Sequence, residues 1–158
     1  MNLFTNYNHK KTTTLIVENE IIADTGIDVP NEQILLIEDN ALIQRVLKHQ
    51  LEKLKVEVHT ADNGAQALEK IQANDYILII TDIGLPDQDG CEVAVAIHRY
   101  QTAHRRSLTP IIALSAHIDE TEQQRCLAAG MIRAWNKPLD EQKIQEIAAI
   151  LISSPRIY

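Results

Sequence analysis

From Asn31 to about Leu151 the chain switches five times, without a break, between a short apolar run and an amphipathic helical stretch. Ile34-Leu35-Leu36-Ile37 is continuously apolar, as expected for a strand buried on both faces. Asn40 stands where a helix cap belongs, and Leu42, Ile43, Val46, Leu47, Leu51 and Leu54 follow at helical spacing. Val56, Val58 and Ala61 form a second, alternating strand, and Asn63-Gly64 turns the chain into a helix over Ala65 to Ala73. Tyr76 to Ile80 reads as the third strand. A loop carrying Gly84, Pro86 and Gly90 then leads into a helix from Cys91 to Tyr100. Pro110 to Leu114 is the fourth strand, and Asp119 to Ala129 is a helix stopped by Gly130. Ile132 to Trp135 is a short fifth strand and Leu139 to Leu151 the last helix. Such strict alternation predicts the α/β class: a parallel sheet covered by helices on both faces.

In sheets of this kind ligands bind outside the carboxyl ends of the strands. The residues just after each strand are therefore the candidate site. The first strand ends in Glu38-Asp39, the third in Thr81-Asp82, the fourth in Ser115 and the fifth in Asn136-Lys137-Pro138. The second ends in residues without evident chemistry. Each of these alone reads as a helix cap or a surface charge, but four strand ends agree. Three carboxylates brought together repel and raise one another's pKa unless a cation intervenes. Hard oxygen ligands with room for water suit Mg²⁺. A lysine there pairs with a carboxylate or an incoming phosphoryl group, a serine hydroxyl donates to a phosphoryl oxygen, and an aspartate can itself be the nucleophile. Phosphoryl transfer needs mainly positioning and charge neutralisation, and this edge offers both.

Composition narrows the alternatives. The 158 residues are 45% hydrophobic and 23% charged, enough apolar content for one folded domain without disulfide or metal staples. Cys91 and Cys126 stand alone and far apart, with no metal-ligand spacing. No apolar run is long enough to span a membrane, and the start MNLFTNYNHKK has no secretory-signal core, so a cytoplasmic chain is expected. The net charge of −7 argues against a broad basic face for nucleic acid. The first strand is followed by Glu38-Asp39-Asn40 rather than a glycine-rich dinucleotide loop, and G-x-x-x-x-G-K-[ST] is absent. An aspartyl phosphatase commonly carries a second aspartate two residues after its nucleophile, where this chain has Gly84.

Taken together, ILLIEDN, ITDIGLPDQDG, PIIALSAH and AWNKPL resemble the receiver domain of two-component response regulators, over about Gln33 to Leu151. The resemblance implies a flavodoxin-like, doubly wound (βα)5 three-layer sandwich with parallel sheet order 2-1-3-4-5. It implies Asp82 as the phosphoacceptor, taking a phosphoryl group from a partner's histidine. Glu38, Asp39, Asp82 and the backbone carbonyl of Gly84 would hold Mg²⁺ or Mn²⁺. Ser115 would contact the phosphoryl oxygen and Lys137 would pair with the phosphate, beside a Lys137–Pro138 bond that is typically cis. The implied partner is a histidine kinase or a histidine phosphotransfer domain, met by the first helix near Leu42, Ile43 and Val46. Self-pairing would use the face of the fourth helix, fifth strand and fifth helix.

The motif style looks most like the carboxyl-terminal receiver of a hybrid histidine kinase. A stand-alone receiver and a phosphorylation-independent binding module are the alternatives. Receivers usually carry an aromatic residue three positions before the lysine, where this chain has Ala134. Trp135 is one step on and on the opposite face of a strand, so the expected output is weaker or differently routed. Residues 1–30 read as a tail or linker, with a short strand at Leu15–Val17 as the alternative, 31–152 as the receiver, and 153–158 as a second tail.

Overall fold

A computed structural model describes residues 32–153 and the backbone of Leu15–Val17 and Glu20–Ile22. Strands β1 (Leu15–Val17) and β2 (Glu20–Ile22) pair antiparallel, with Ile16 opposite Ile21. The structure thus takes the alternative reading of Leu15–Val17. The rest of the expected tail over 1–30 lies outside the described residues, as does 154–158.

The expected sheet is present with its expected order. Strands β3 (Gln33–Ile37), β4 (Glu57–Ala61), β5 (Leu78–Thr81), β6 (Ile111–Ser115) and β7 (Arg133–Asn136) run parallel in the order β4-β3-β5-β6-β7. Counted within this sheet, that is 2-1-3-4-5. The helices are α1 (Ala41–Glu52), α2 (Gly64–Ala73), α3 (Gly90–Ala103), α4 (Glu120–Ala128) and α5 (Glu141–Ser153).

Strand alternation divides the interior into two layers. Leu35, Ile37, Ile79, Ile111 and Ala113 face α2, α3 and α4 through Ala67, Ile71, Val93, Ala94, Ile97 and Cys126. Ile34, Leu36, Leu78, Ile80, Ile112 and Leu114 face α1 and α5 through Leu47, Leu51, Ile147 and Leu151. Burying apolar side chains on both faces of the central strands is worth roughly 1.5–3 kcal/mol each, the main force closing the sandwich. Ala134 lies in the first layer and Trp135 packs against the second, as strand alternation requires.

One expectation needs correction. Cys91 and Cys126, read as isolated from each other, lie with their sulfurs 3.7 Å apart in the first layer, because the packing of α3 and α4 on one sheet face brings them together. On α1, only Leu47 and Leu51 of the apolar series are buried, and Leu42, 71% exposed, and Val46, 53% exposed, leave the face expected to meet a partner open. A single helix on an edge of the sheet has a contact stripe too narrow to cover every apolar position.

Boundaries shift by small amounts for local reasons. Helix α5 starts at Glu141 rather than Leu139, since Asp140 Oδ1 accepts the Lys143 N–H at 2.9 Å as its cap. Helix α4 is capped by Asp119, whose side chain accepts the Glu122 N–H. Gly130 follows α4 at φ +89°, a conformation that favours glycine, with His98 pressed close to where a Cβ would sit.

Candidate functional site

The site is assembled by register. Ile37 pairs with Ala61 on one side and Thr81 on the other, so Glu38 and Asp82 leave the sheet side by side. The Glu38 N–H donates to the Ala61 carbonyl at 3.0 Å, and the Asp82 N–H to the Ile37 carbonyl at 2.9 Å. Both therefore start from fixed backbone. Glu38, Asp39 and Asp82 bring one carboxylate oxygen each within 4.8 Å of one another, the one such acidic group among the described residues.

Lys137 enters from the opposite end of the sequence. Its ammonium donates to Glu38 Oε2 at 2.6 Å and to Asp82 Oδ2 at 2.8 Å. The Glu38 side chain is almost wholly buried, the Asp82 side chain is partly buried at 13% exposure, and Asp39 is exposed. Burial works to lower the Lys137 pKa, but the hydrogen bonds to Asp82 and Glu38 outweigh it and hold the ammonium above its ordinary value. Glu38 Oε1 accepts the Asn40 N–H at 3.1 Å, so this carboxylate is tied on both oxygens. The Lys137–Pro138 peptide is cis.

Ser115 ends β6 opposite Asn136, and its carbonyl accepts the Lys137 N–H at 2.8 Å. Gly84 donates its N–H to Asp82 Oδ1 at 3.2 Å, and space around its Cα is open. Gly90, at the start of α3, has the opposite environment: a Cβ there would meet the Asp82 carbonyl oxygen at 2.2 Å. The helix is thereby seated directly against the backbone of the candidate nucleophile.

Several supporting residues carried no signal in the sequence. Gln44 of α1 donates to the Glu38 carbonyl at 2.8 Å and to Asp62 Oδ1 at 2.9 Å, so the second strand end, read as bare, takes part in the scaffold. Asp87, in the loop after β5, accepts the Gly64 and Ala65 N–H groups at 3.0 Å each and so closes the start of α2. Asp89 caps α3 and accepts from Arg125 of α4 at 2.9 Å. A helix cap or glutamine contact between distant segments leaves no mark at the level of spacing.

The group is a compact acidic site spanned by one lysine. Three carboxylate oxygens, two of them on fixed backbone, form a donor set that suits a small hard cation such as Mg²⁺. The comparisons agree with this geometry. Residues 34–149 match the family model described as the response regulator receiver domain. The chain is 31% identical over 140 residues to the signal transduction histidine-protein kinase BarA of Shigella flexneri, a match covering 88% of this chain and 14% of that protein. Among solved structures, a two-component response regulator from Clostridium difficile superposes with a TM-score of 0.72 at 27% identity, over 80% of this chain and all of the other. The response regulator TrrA of Thermotoga maritima, in complex with Mg²⁺-BeF, gives 0.64 at 28% identity, over 76% of this chain and 98% of that one. The fold, the strand-end acidic group and a family match over most of its length make this chain a member of the response regulator receiver family, a module of phosphorelay signalling.

Proposed function

We propose that Asp82 is the phosphoacceptor, and that the chain takes its phosphoryl group from a phosphohistidine on a histidine kinase or histidine phosphotransfer domain. The observation that carries this reading is the Asp82 carboxylate held between Lys137 and the Gly84 N–H, beside Glu38 and Asp39. An Asp82 oxygen forms the new O–P bond, the P–N bond breaks, and the imidazole leaves with its nitrogen lone pair, to be protonated from solvent. Glu38, Asp39, Asp82 and the Gly84 carbonyl would hold Mg²⁺, which offsets the charge on the phosphoryl oxygens. Lys137 follows the phosphoryl group and neutralises the dianion it adds. Ser115, at the adjacent strand end, donates its hydroxyl to a phosphoryl oxygen.

The exposed apolar pair Leu42 and Val46 on α1 supports docking of the phosphohistidine partner beside the site. Leu127 on α4 and Ile152 on α5 are exposed too, which supports self-pairing over the α4–β7–α5 face. We read residues 31–152 as the receiver unit of a hybrid histidine kinase, supported by the BarA similarity, with a stand-alone receiver as the second reading. Among the described residues no helix is long and apolar enough to cross a membrane, and a cytoplasmic placement is part of the hybrid-kinase reading.

The test is the intact mass after incubation with Mg²⁺ and a small acyl phosphate, beside Asp82→Asn. One phosphoryl adduct, absent in the variant and absent without Mg²⁺, is the expected result. An adduct that persists in Asp82→Asn would overturn the assignment, and no adduct from either a small donor or a phosphohistidine protein would favour the binding-module alternative.

A further inference from the structure

We infer that Asn136 is a positioning residue for the phosphorylation response: its side-chain amide latches the β6–α4 loop to β7 and sets the resting place of Ser115. This rests on the proposed roles of Asp82 and Ser115 and adds the element that restrains Ser115 before phosphorylation.

The loop between Ser115 and the α4 cap Asp119 contains only Ala116, His117 and Ile118. Ala116 and His117 are exposed, and Ile118 packs its side chain against the first core layer. The Ile118 N–H donates to Asn136 Oδ1 at 2.6 Å, and Asn136 Nδ2 reaches the Ile118 carbonyl at 3.5 Å. The first is a short, good bond and the second is marginal. Asn136 is also the ladder partner of Ser115. The loop is thus hung on the residue that opposes its own start.

Asn136 is itself anchored from the other side. Its carbonyl accepts from Lys143 Nζ of α5 at 2.9 Å, and the same ammonium reaches the Pro138 carbonyl at 2.8 Å and Asp140 Oδ2 at 3.2 Å. A continuous line therefore runs from α5 through Asn136 to the loop before α4. Other side chains of this stretch have different engagements. Ala134 offers only a methyl opposite Ala113, Trp135 faces the second layer, and the Lys137 ammonium is committed to Glu38 and Asp82.

Ser115 can follow a phosphoryl oxygen only if the loop gives. Three residues on, that movement works against the Ile118–Asn136 bond. An ordinary intramolecular hydrogen bond shifts such a two-state balance about fivefold. The bond therefore biases the loop toward rest, and its release passes the change to the α4 and α5 side of the domain.

The experiment compares wild type, Asn136→Ala and Asn136→Asp by amide hydrogen exchange and by the rate of phosphorylation from a small acyl phosphate with Mg²⁺. The aspartate keeps the acceptor for the Ile118 N–H and loses only the marginal donor. In Asn136→Ala the Ile118 amide is expected to exchange about fivefold or more faster, while β3 and β5 amides keep their protection, and phosphorylation is expected to speed up severalfold. Asn136→Asp is expected to retain the Ile118 protection. Asn136→Leu, which fills similar volume without polar atoms, is expected to repeat the alanine result if the alanine variant folds poorly. Wild-type Ile118 exchange and phosphorylation rate in both apolar variants overturn the latch. Equal loss of protection in Asn136→Asp overturns it too, by assigning the effect to general loosening. If the wild type takes no phosphoryl group, the Asp82 reading and the coupling fall together, and Ile118 exchange alone still decides whether the bond holds the loop.

Discussion

Lys137 is a charge hub of the site, since its ammonium is the shared partner of two largely buried carboxylates. Removing one member of such a cluster leaves uncompensated charge, which costs about 3–5 kcal/mol when the group is buried. Lys137→Met is therefore expected to lower stability by about 3 kcal/mol in chelator-containing buffer, read from the urea midpoint. The same change on an Asp82→Asn background is expected to cost less, because one stranded carboxylate is gone; equal costs in both backgrounds would show that the lysine acts through packing. Gly90 is constrained sterically. A methyl at this position would overlap the Asp82 carbonyl oxygen, which is backbone and cannot swing aside. Gly90→Ala is expected to destabilise by about 1–3 kcal/mol and to slow phosphorylation, through displacement of Asp82. Gly84 has no such neighbour, so Gly84→Gln is expected to leave the melting point near wild type and to slow loss of the phosphoryl group severalfold by shielding it from water. Among single residues, Glu38 was legible because it directly follows an apolar run, and Asp82 and Lys137 because each stands one residue beyond a strand signal, after Thr81 and Asn136. Asn136, Gln44 and Asp87 act through side-chain hydrogen bonds to other segments, and no local pattern encodes those.

Helix α2 shows how an element depends on a residue from another segment. Its first two N–H groups, at Gly64 and Ala65, donate to the Asp87 carboxylate in the loop after β5. These bonds hold the Asp87 pKa below its ordinary value, the bond from Gly64 being the largest influence. A carboxyl whose folded pKa is depressed adds stability above its unfolded pKa, about 3.9, and loses it as pH falls through the lower folded value. The urea midpoint of the wild type is thus expected to fall more steeply below about pH 4 than that of Asp87→Asn. Parallel acid profiles for the two proteins would remove Asp87 from the account. Existence and type of all five helices were legible from period and composition, with Asn40 as a cap and Asn63-Gly64 as a turn, whereas Asp119, read as the first helical residue, is the cap of α4. On α1, periodicity names an apolar face without saying how much of it is covered: Leu47 and Leu51 are buried against the sheet, whereas Leu42 and Val46, read as a contact face, stay exposed.

At the scale of the whole molecule, alternation fixes a parallel sheet with two helical layers, but right-handed crossovers alone allow more than one strand order. The order 2-1-3-4-5 was legible only through the joint motif. The two layers also create a built-in reporter of global unfolding. Cys91 and Cys126 come from α3 and α4, and their sulfurs meet at 3.7 Å in the layer that those helices close. Burial, then the neighbouring Cys126, pushes the Cys91 thiol up to about 12, and burial raises Cys126 as well. A thiol so placed carries almost no thiolate at neutral pH and is shielded from reagents. Cys91 does line an open groove of about 360 Å³ with Arg99 and Arg125, so access alone would favour it over Cys126. If local access governed reactivity, iodoacetamide would label Cys91 alone and early. If the sandwich opens as one unit, both thiols become available together, at a rate set by the population of the open state. The expected result is slow labelling of both cysteines at equal rates, rising with urea at the slope of global unfolding. Fast labelling of Cys91 alone, independent of urea, would instead mean that the α3–α4 seam opens by itself, and α4 would then be a separately mobile part of the domain.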